Sequence, residues 1–426
     1  MAQIQYKKRI ADQMLQERLQ ETGAVLIQGP KWCGKTTTAL QQAGSSVMLA
    51  NPQTLATTAQ LAHTDMSYLL SGETPRLFDE WQSIPELWDS IRYEVDMRAL
   101  PGQFILTGSA VPLDSDKIRH SGAGRYSWVR MRPMSLWESE ESTGDVSLKA
   151  LFDGQTAIRG RNKWQLTDIA YLLCRGGWPD SLTKSRRAAL ETSHSYVQAI
   201  IESDVSRVDN TLRNPQRILL LMRSLARLQG TQTSVRVLRD DMLANDEGSL
   251  SENTVNSYLN ALRKIFVIED LPAWSVHLRS KTAIRTSDTR YFIDPSIATA
   301  SLNIYPEHLM SDLNTFGLLF ETMCMRDLRV YADSMRAQVY HYRDKDGLEC
   351  DAVFELRDGV YGLIEIKLGG LPAIAAAQQS LNKLATKIDT GHSGKPAFRM
   401  VLTAVGEYAV RLDDGTLVVP IGCLKP

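Results

Sequence analysis

The sequence predicts a three-module α/β protein: a parallel-sheet domain, a helical middle region and a second α/β domain. Residues 24–110 alternate short apolar runs with helical patterns, as βαβ units do. Residues 164–270 keep helical periodicity; in 217–227 arginines fall on one side and leucines on the other. From about residue 312 a helix gives way to two strand patterns split by Arg357-Asp358-Gly359, with a further helix near 371–388. At roughly 150 residues per domain, 426 residues suit two or three domains. The boundaries fall near 160 and 300, giving modules 1–160, 161–300 and 301–426.

Composition narrows the function classes. A chain that is 43% apolar and 23% charged can build packed cores, which excludes whole-chain disorder. No run approaches the roughly 18 apolar residues of a membrane span, and Met1 to Arg9 lacks the apolar core of a secretory signal. Lysine plus arginine number 48 against 49 acids, so a uniformly basic nucleic-acid coat is excluded while local basic patches are not. Five cysteines, at 33, 174, 324, 350 and 423, form no Cys-x-x-Cys pair. These features predict a cytoplasmic protein without membrane contact. The seven histidines lack zinc-ligand spacing, and no Gly-x-Ser-x-Gly elbow appears.

The first element with chemistry is Gly29-Pro30-Lys31-Trp32-Cys33-Gly34-Lys35-Thr36, a Gly-x4-Gly-Lys-Thr phosphate loop. The apolar run 24–27 precedes it, and Thr37-Thr38-Ala39 can open a helix. Glycines let backbone N–H groups turn around phosphate oxygens, and the helix N-terminus adds positive potential. Lys35 would reach the β- and γ-phosphates of ATP and the Thr36 hydroxyl would ligate Mg²⁺. Leu77-Phe78-Asp79-Glu80 reads as the second element, Asp79 holding Mg²⁺ through water and Glu80 orienting or deprotonating the attacking water. The strand 103–106 ends in Thr107-Gly108-Ser109, and Thr107 or Ser109 would hydrogen-bond that water or the γ-phosphate. Of the two arginines bounding the glycine-containing segment 119–125, Arg125 rather than Arg119 is the better transition-state cation, supplied across a homo-oligomer interface.

This order resembles the AAA+ branch of P-loop ATPases. Tyr6 to Arg9, the phosphate loop, Pro133-Met134-Ser135-Leu136-Trp137-Glu138, Gly176-Gly177-Trp178-Pro179 and Glu202-Ser203-Asp204-Val205 together resemble the bacterial and archaeal ATPases that end in a DUF4143 domain. The resemblance covers nearly the whole chain and implies ATP binding with Mg²⁺ and hydrolysis.

The middle region contains a winged-helix order. Residues 234–241 and Ser251 to Leu262 read as two helices, the second capped by Ser251, and 266–272 reads as a strand entering a hairpin. Val255, Leu259 and Leu262 share one face, leaving Asn253, Thr254, Asn256 and Ser257 outward. The basic stretch 277–290 would place Arg279, Lys281 and Arg285 on the phosphates of duplex or branched DNA.

The C-terminal module carries a carboxylate pattern. A three-residue loop at Arg357-Asp358-Gly359 pairs Leu356 with Val360 and so sets Asp351 opposite Glu365. Glu349, Asp351, Glu365 and Lys367 then share one face. Two carboxylates that close need a cation or proton between them, and a divalent metal would serve. The spacing resembles the PD-(D/E)xK nuclease fold, with Glu321 as the acid from the preceding helix. The sequence therefore predicts an ATPase acting on DNA; the alternatives are a nucleotide-switched scaffold for a protein partner and an ATP-gated nuclease.

Overall fold

The computed structural model describes residues 6–108, 122–155, 157–207, 211–244, 248–275, 287–388 and 394–426. Helix α1 (Ile10–Glu21) leads into β1 (Ala24–Gln28), α2 (Lys35–Leu40) and β2 (Ser45–Met48). Then follow α3 (Pro52–Thr64), α4 (Met66–Leu70), β3 (Arg76–Asp79), α5 (Leu87–Arg98), β4 (Phe104–Gly108) and β5 (Tyr126–Arg130). The five strands form one parallel sheet in the order β2-β3-β4-β1-β5. The interior strands β1 and β4 are covered on both faces, which is why they read as near-continuous apolar runs. Ala24 and Leu26 join Phe78, Phe104 and Leu106 on one side; Val25 and Ile27 join Leu77, Ile105 and Val129 on the other.

Residues 122–155 and 157–162 hold regular elements of which the sequence gives little sign. They contain β5, whose five residues sit between Gly124 and Pro133 and offer too short a pattern to read alone. They also contain β6 (Val146–Ser147), α6 (Leu148–Phe152) and the start of β7 (Gly160–Arg161), which leave the first sheet.

The middle region holds α7 (Leu166–Arg175), α8 (Arg186–Ala199), a π-helical segment at Ile200–Asp204, α9 (Val205–Arg207) and α10 (Pro215–Arg227). Helix α11 (Val235–Leu243) and helix α12 (Glu252–Lys264) follow; Ser251 caps the latter by accepting from the Thr254 N–H. Strand β8 (Ile268–Leu271) then pairs antiparallel with β9 (Thr289–Phe292). Asn253 and Asn256 are exposed while Val255, Leu259 and Leu262 are buried, the split the periodicity predicts.

Helices α13 (Pro295–Leu302) and α14 (Pro306–Ser311) precede the long α15 (Leu313–Ser334). Then come β10 (Gln338–Arg343), β11 (Glu349–Glu355), β12 (Tyr361–Lys367), α16 (Leu371–Lys387), β13 (Phe398–Thr403), β14 (Tyr408–Arg411), β15 (Leu417–Pro420) and β16 (Leu424–Lys425). The sheet order is β10-β11-β12-β13-β15-β14-β7, and β16 pairs with β6. Residues 160–161 thus edge the C-terminal sheet and 146–147 pair with β16, although both precede the middle region in sequence. One apolar cluster runs from Leu136 through the middle helices to Leu424.

Helix α15 is buried on most of its surface, including Arg326, Asp327 and Arg329. Each charge has a partner from another part of the chain. Arg326 binds Asp294 at 2.9 Å, and Asp327 accepts from the Leu136 N–H at 3.0 Å. Asp294 also accepts from the Gly177 N–H at 2.9 Å, and Trp178 Nε1 donates to Ser296 at 2.9 Å. A Cβ at Gly177 would lie 2.2 Å from the Met134 carbonyl, so glycine is required where these segments cross. Arg132, just beyond β5, grips Glu269 of β8 through two nitrogens, at 2.9 and 2.7 Å, and also Asp333 of α15. Arg329 reaches Glu269 at 3.4 Å. Three modules therefore meet on one carboxylate.

Removing a partner from a buried ion network leaves uncompensated charge and costs about 3–5 kcal/mol. Glu269→Ala should lower unfolding free energy by about that amount in urea titration. The guanidinium groups hold the Glu269 carboxyl well below the usual carboxylate range, working against its burial. A carboxylate depressed in the folded state gives its stabilisation above the unfolded pKa of about 4.3 and loses it as pH falls. The difference between wild type and Glu269→Ala should accordingly shrink as the titration is repeated below about pH 4.

Candidate nucleotide cleft and C-terminal carboxylate cluster

The phosphate loop joins the C-terminal end of β1, an interior strand between β4 and β5, to α2. Gly34 adopts φ 100° before Lys35, a left-handed turn that glycine accepts without strain. Lys35 is buried and donates to the Gly29 and Pro30 carbonyls at 3.0 and 2.8 Å, which curls its ammonium into the loop. The register sets Asp79 beside Thr107 at adjacent strand tips. Asp79 Oδ1 accepts from both the Thr36 and Thr107 hydroxyls at 2.6 Å. The Glu80 N–H donates to Thr107 Oγ1 at 3.3 Å, and the Glu80 carboxylate accepts from Gln82. Lys35, Thr36, Asp79, Glu80 and Thr107 thus converge as their spacing predicts.

The remaining loop residues serve the loop's attachment. Cys33 is buried; its carbonyl accepts from Arg9 Nη1 at 2.7 Å. Arg9 also binds Glu138 at 3.0 Å and the Arg132 carbonyl at 2.8 Å, so one buried guanidinium ties the loop to the segment after β5. Lys31 pairs with buried Asp204 of the π-helical segment at 2.6 Å, and the Trp32 ring lies 5.3 Å from Tyr196. Arg9, Glu138 and Asp204 belong to motifs visible in the sequence. Their partnerships were not legible, because Arg9 with Glu138 and Lys31 with Asp204 each join positions over 100 residues apart.

The loop opens on a cleft of about 1150 Å³. One wall is the loop with Tyr6 and Glu80; the other belongs to the middle region, with Pro179, Leu182, Lys184 and Thr192. Arg125 is not in this wall. It lies before β5 at the opposite end of the sheet, exposed and paired with Asp96 of α5 at 2.8 Å. Ser109, Arg119, Arg279, Lys281 and Arg285 lie outside the described residues.

The hairpin of β11 and β12 has the register the sequence implies. The Leu356 N–H donates to the Val360 carbonyl, Gly359 has φ 87°, and Ala352 pairs with Ile364. Lys367 Nζ lies 2.8 Å from Glu365 and 3.3 Å from Asp351. Asp351 also accepts from the Ile366 N–H at 2.7 Å. Glu321 of α15 accepts from the Tyr291 hydroxyl at 2.5 Å. Burial first, then the Asp351 charge, push the Glu321 carboxyl up to about 8; the same two causes push Glu365 up to about 7. Glu349 pairs outward with Arg343 at 3.1 Å. Among the described residues no group of three or more His, Cys, Asp or Glu side chains could hold a metal ion, and the cation between Asp351 and Glu365 is Lys367.

Residues 21–140 match the family model described as an AAA domain, and residues 316–424 match the domain of unknown function DUF4143. The chain couples an AAA-type P-loop domain to a C-terminal DUF4143 domain. Residues 166–308 match a further domain of unknown function, DUF8612. Uncharacterized proteins of Mycobacterium tuberculosis and Mycobacterium bovis are each 24% identical over 418 residues, covering 97% of this chain and 83% of theirs. Among solved structures, a Walker-type ATPase of Pyrococcus abyssi gives a TM-score of 0.42 at 17% identity, covering 68% of this chain and 94% of that one. The Aeropyrum pernix Orc1 protein in complex with DNA gives 0.23 at 13%, covering 71% and 92%. No helix among the described residues is long and apolar enough to cross a membrane.

Two predictions follow from the two sites. Lys35→Ala removes a charge-assisted donor to phosphate, worth about 1.5–3 kcal/mol, and should weaken ATP about ten- to hundredfold in a fluorescent-nucleotide titration. A carboxyl raised in the folded state contributes fully below its unfolded pKa of about 4.3 and loses that contribution as pH rises to about 8. Glu321→Gln cannot ionise, so it should be more stable than wild type by about 1 kcal/mol or more at pH 8.5, and that advantage should vanish near pH 4.5. Urea midpoints across that range check it.

Proposed function

We propose that this protein is a Mg²⁺-dependent ATPase whose nucleotide cycle acts on DNA. The observation that carries this reading is the convergence of Lys35, Thr36, Asp79 and Thr107 at one set of strand tips, opening on a cleft large enough for a nucleotide. The loop amides and Lys35 would hold the β- and γ-phosphates. Thr36 and Asp79 offer the hard oxygen donors that Mg²⁺ takes, and the ion would neutralise phosphate charge when bound. Asp79 is fixed by two hydroxyls, so its carboxylate is oriented in advance. Glu80, whose N–H donates to Thr107 and which lines the cleft, is the group to position and deprotonate water. Arg125 is exposed and remote within its own chain, which suits a residue offered to a neighbouring subunit.

Action on DNA is supported by the order α11, α12, β8 and β9, a winged-helix arrangement. The exposed Asn253 and Asn256 on α12 are side chains that can read base edges. Lys367 between Asp351 and Glu365 favours a second reading for the C-terminal domain, as a module that binds a partner without cutting DNA.

ATP hydrolysis should be measured with branched, duplex and single-stranded DNA, scanning the same tubes for nicks with Mg²⁺ or Mn²⁺. Stimulation several-fold by one DNA form is the expected result. Turnover that ignores every DNA form would leave the nucleotide-switched scaffold, and nicking lost in Asp351→Ala would establish a nuclease. Absence of turnover in the wild type would overturn the ATPase reading.

A further inference from the structure

Helix α8 serves two clefts. Ala188, Thr192 and Ser195 line the nucleotide cleft. Arg186, Arg187 and Leu190 line another, of about 550 Å³, closed by α7 and α14. A cavity of that size suits a small molecule.

Its charges are arranged unusually. Arg186 and Arg187 open α8, and the Arg186 guanidinium lies 3.8 Å over the Tyr171 ring. Glu191 lies one turn further along α8, about 6 Å up the axis, and Glu307 enters from α14. Opposite charges sharing a small cleft ordinarily pair. Here the two arginines form no ion pair with Glu191, Glu307 or any other carboxylate among the described residues. The stack on Tyr171 holds Arg186 at one end, and the Tyr305 hydroxyl meets Glu191 at 3.5 Å at the other. Pro306 and Met310 add apolar wall to the same cleft. The cleft therefore brings together two cations without an ion pair among the described residues, two carboxylates and an apolar wall.

We propose that this cleft binds a zwitterion: a carboxylate head on the arginines, an aliphatic spacer on the apolar wall, and an ammonium tail on the glutamates. Only a ligand with both charges, held apart by such a spacer, satisfies both ends at once. Free lysine and a lysine at the C-terminal end of a peptide share this chemistry.

The test is isothermal titration of the full chain with 6-aminohexanoate, alongside hexanoate and hexylamine. Saturable binding of 6-aminohexanoate, with each single-charge analogue at least about tenfold weaker, is the expected result. Arg187→Gln and Glu307→Gln, both exposed and outside the nucleotide cleft, should each cost about tenfold while leaving nucleotide affinity unchanged. Nα-acetyl-lysine against free lysine distinguishes a peptide end from an amino acid. Absence of saturable binding by all of these zwitterions, equal binding of hexylamine or hexanoate, or full affinity in both variants would overturn the proposal.

Discussion

Glu269 is the carboxylate on which the assembly of this chain depends. It is shared by Arg132 from the end of the first sheet and Arg329 from α15, while Asp333 takes the remaining donor of Arg132. The desolvation cost of such a group is large, and only the density of opposite charge offsets it. That density exists only when the three modules are docked. Apolar burial is non-directional and would tolerate small slips between modules. A bidentate guanidinium–carboxylate contact would not, because it fixes both distance and angle.

The same logic places α15 at the centre. Its buried Arg326 and Asp327 are matched by Asp294, at the start of α13, and by the backbone at Leu136. Asp294 also accepts from the Gly177 N–H, and Ser296 beside it accepts from Trp178 Nε1. The motifs at 133–138 and 176–179 therefore help to seat α13 and α15, while Met134 and Pro179 also line the nucleotide cleft. One turn nearer its N-terminus, α15 presents Glu321 to Tyr291 and to the charges of Asp351 and Lys367. A single rigid element thus borders the module junction and the C-terminal cluster.

The chemistry at the strand tips was legible because it is local. A glycine loop, an acid after an apolar run and a threonine after the next run each declare themselves within a few residues. The register of the 351–367 hairpin was legible for the same reason, since a three-residue turn with glycine last fixes every pair beyond it. What sequence could not supply was partnership across distance. Arg9 reads as one of several basic residues near the N-terminus, yet it is buried against Glu138 and the loop carbonyl at Cys33. Strand β5 was missed because five residues between glycines and a proline carry little periodicity. The pairing of β6 and β7 with C-terminal strands had no local signal at all.

The cleft geometry gives nucleotide occupancy a reach beyond the first module. One wall is the loop with Tyr6, Arg9 and Glu80, and the other is the segment from Pro179 to Ser195. Lys31 within the loop is bound to Asp204, at the end of the π-helical segment that follows α8. A ligand that contacts both walls binds best when they are at the distance it requires, so its binding energy also stabilises their docking. The coupling is reciprocal: whatever changes the seating of α8 changes affinity in the cleft by the same factor. Since α8 also forms a wall of the cleft with α7 and α14, its position is the quantity that both clefts can bias.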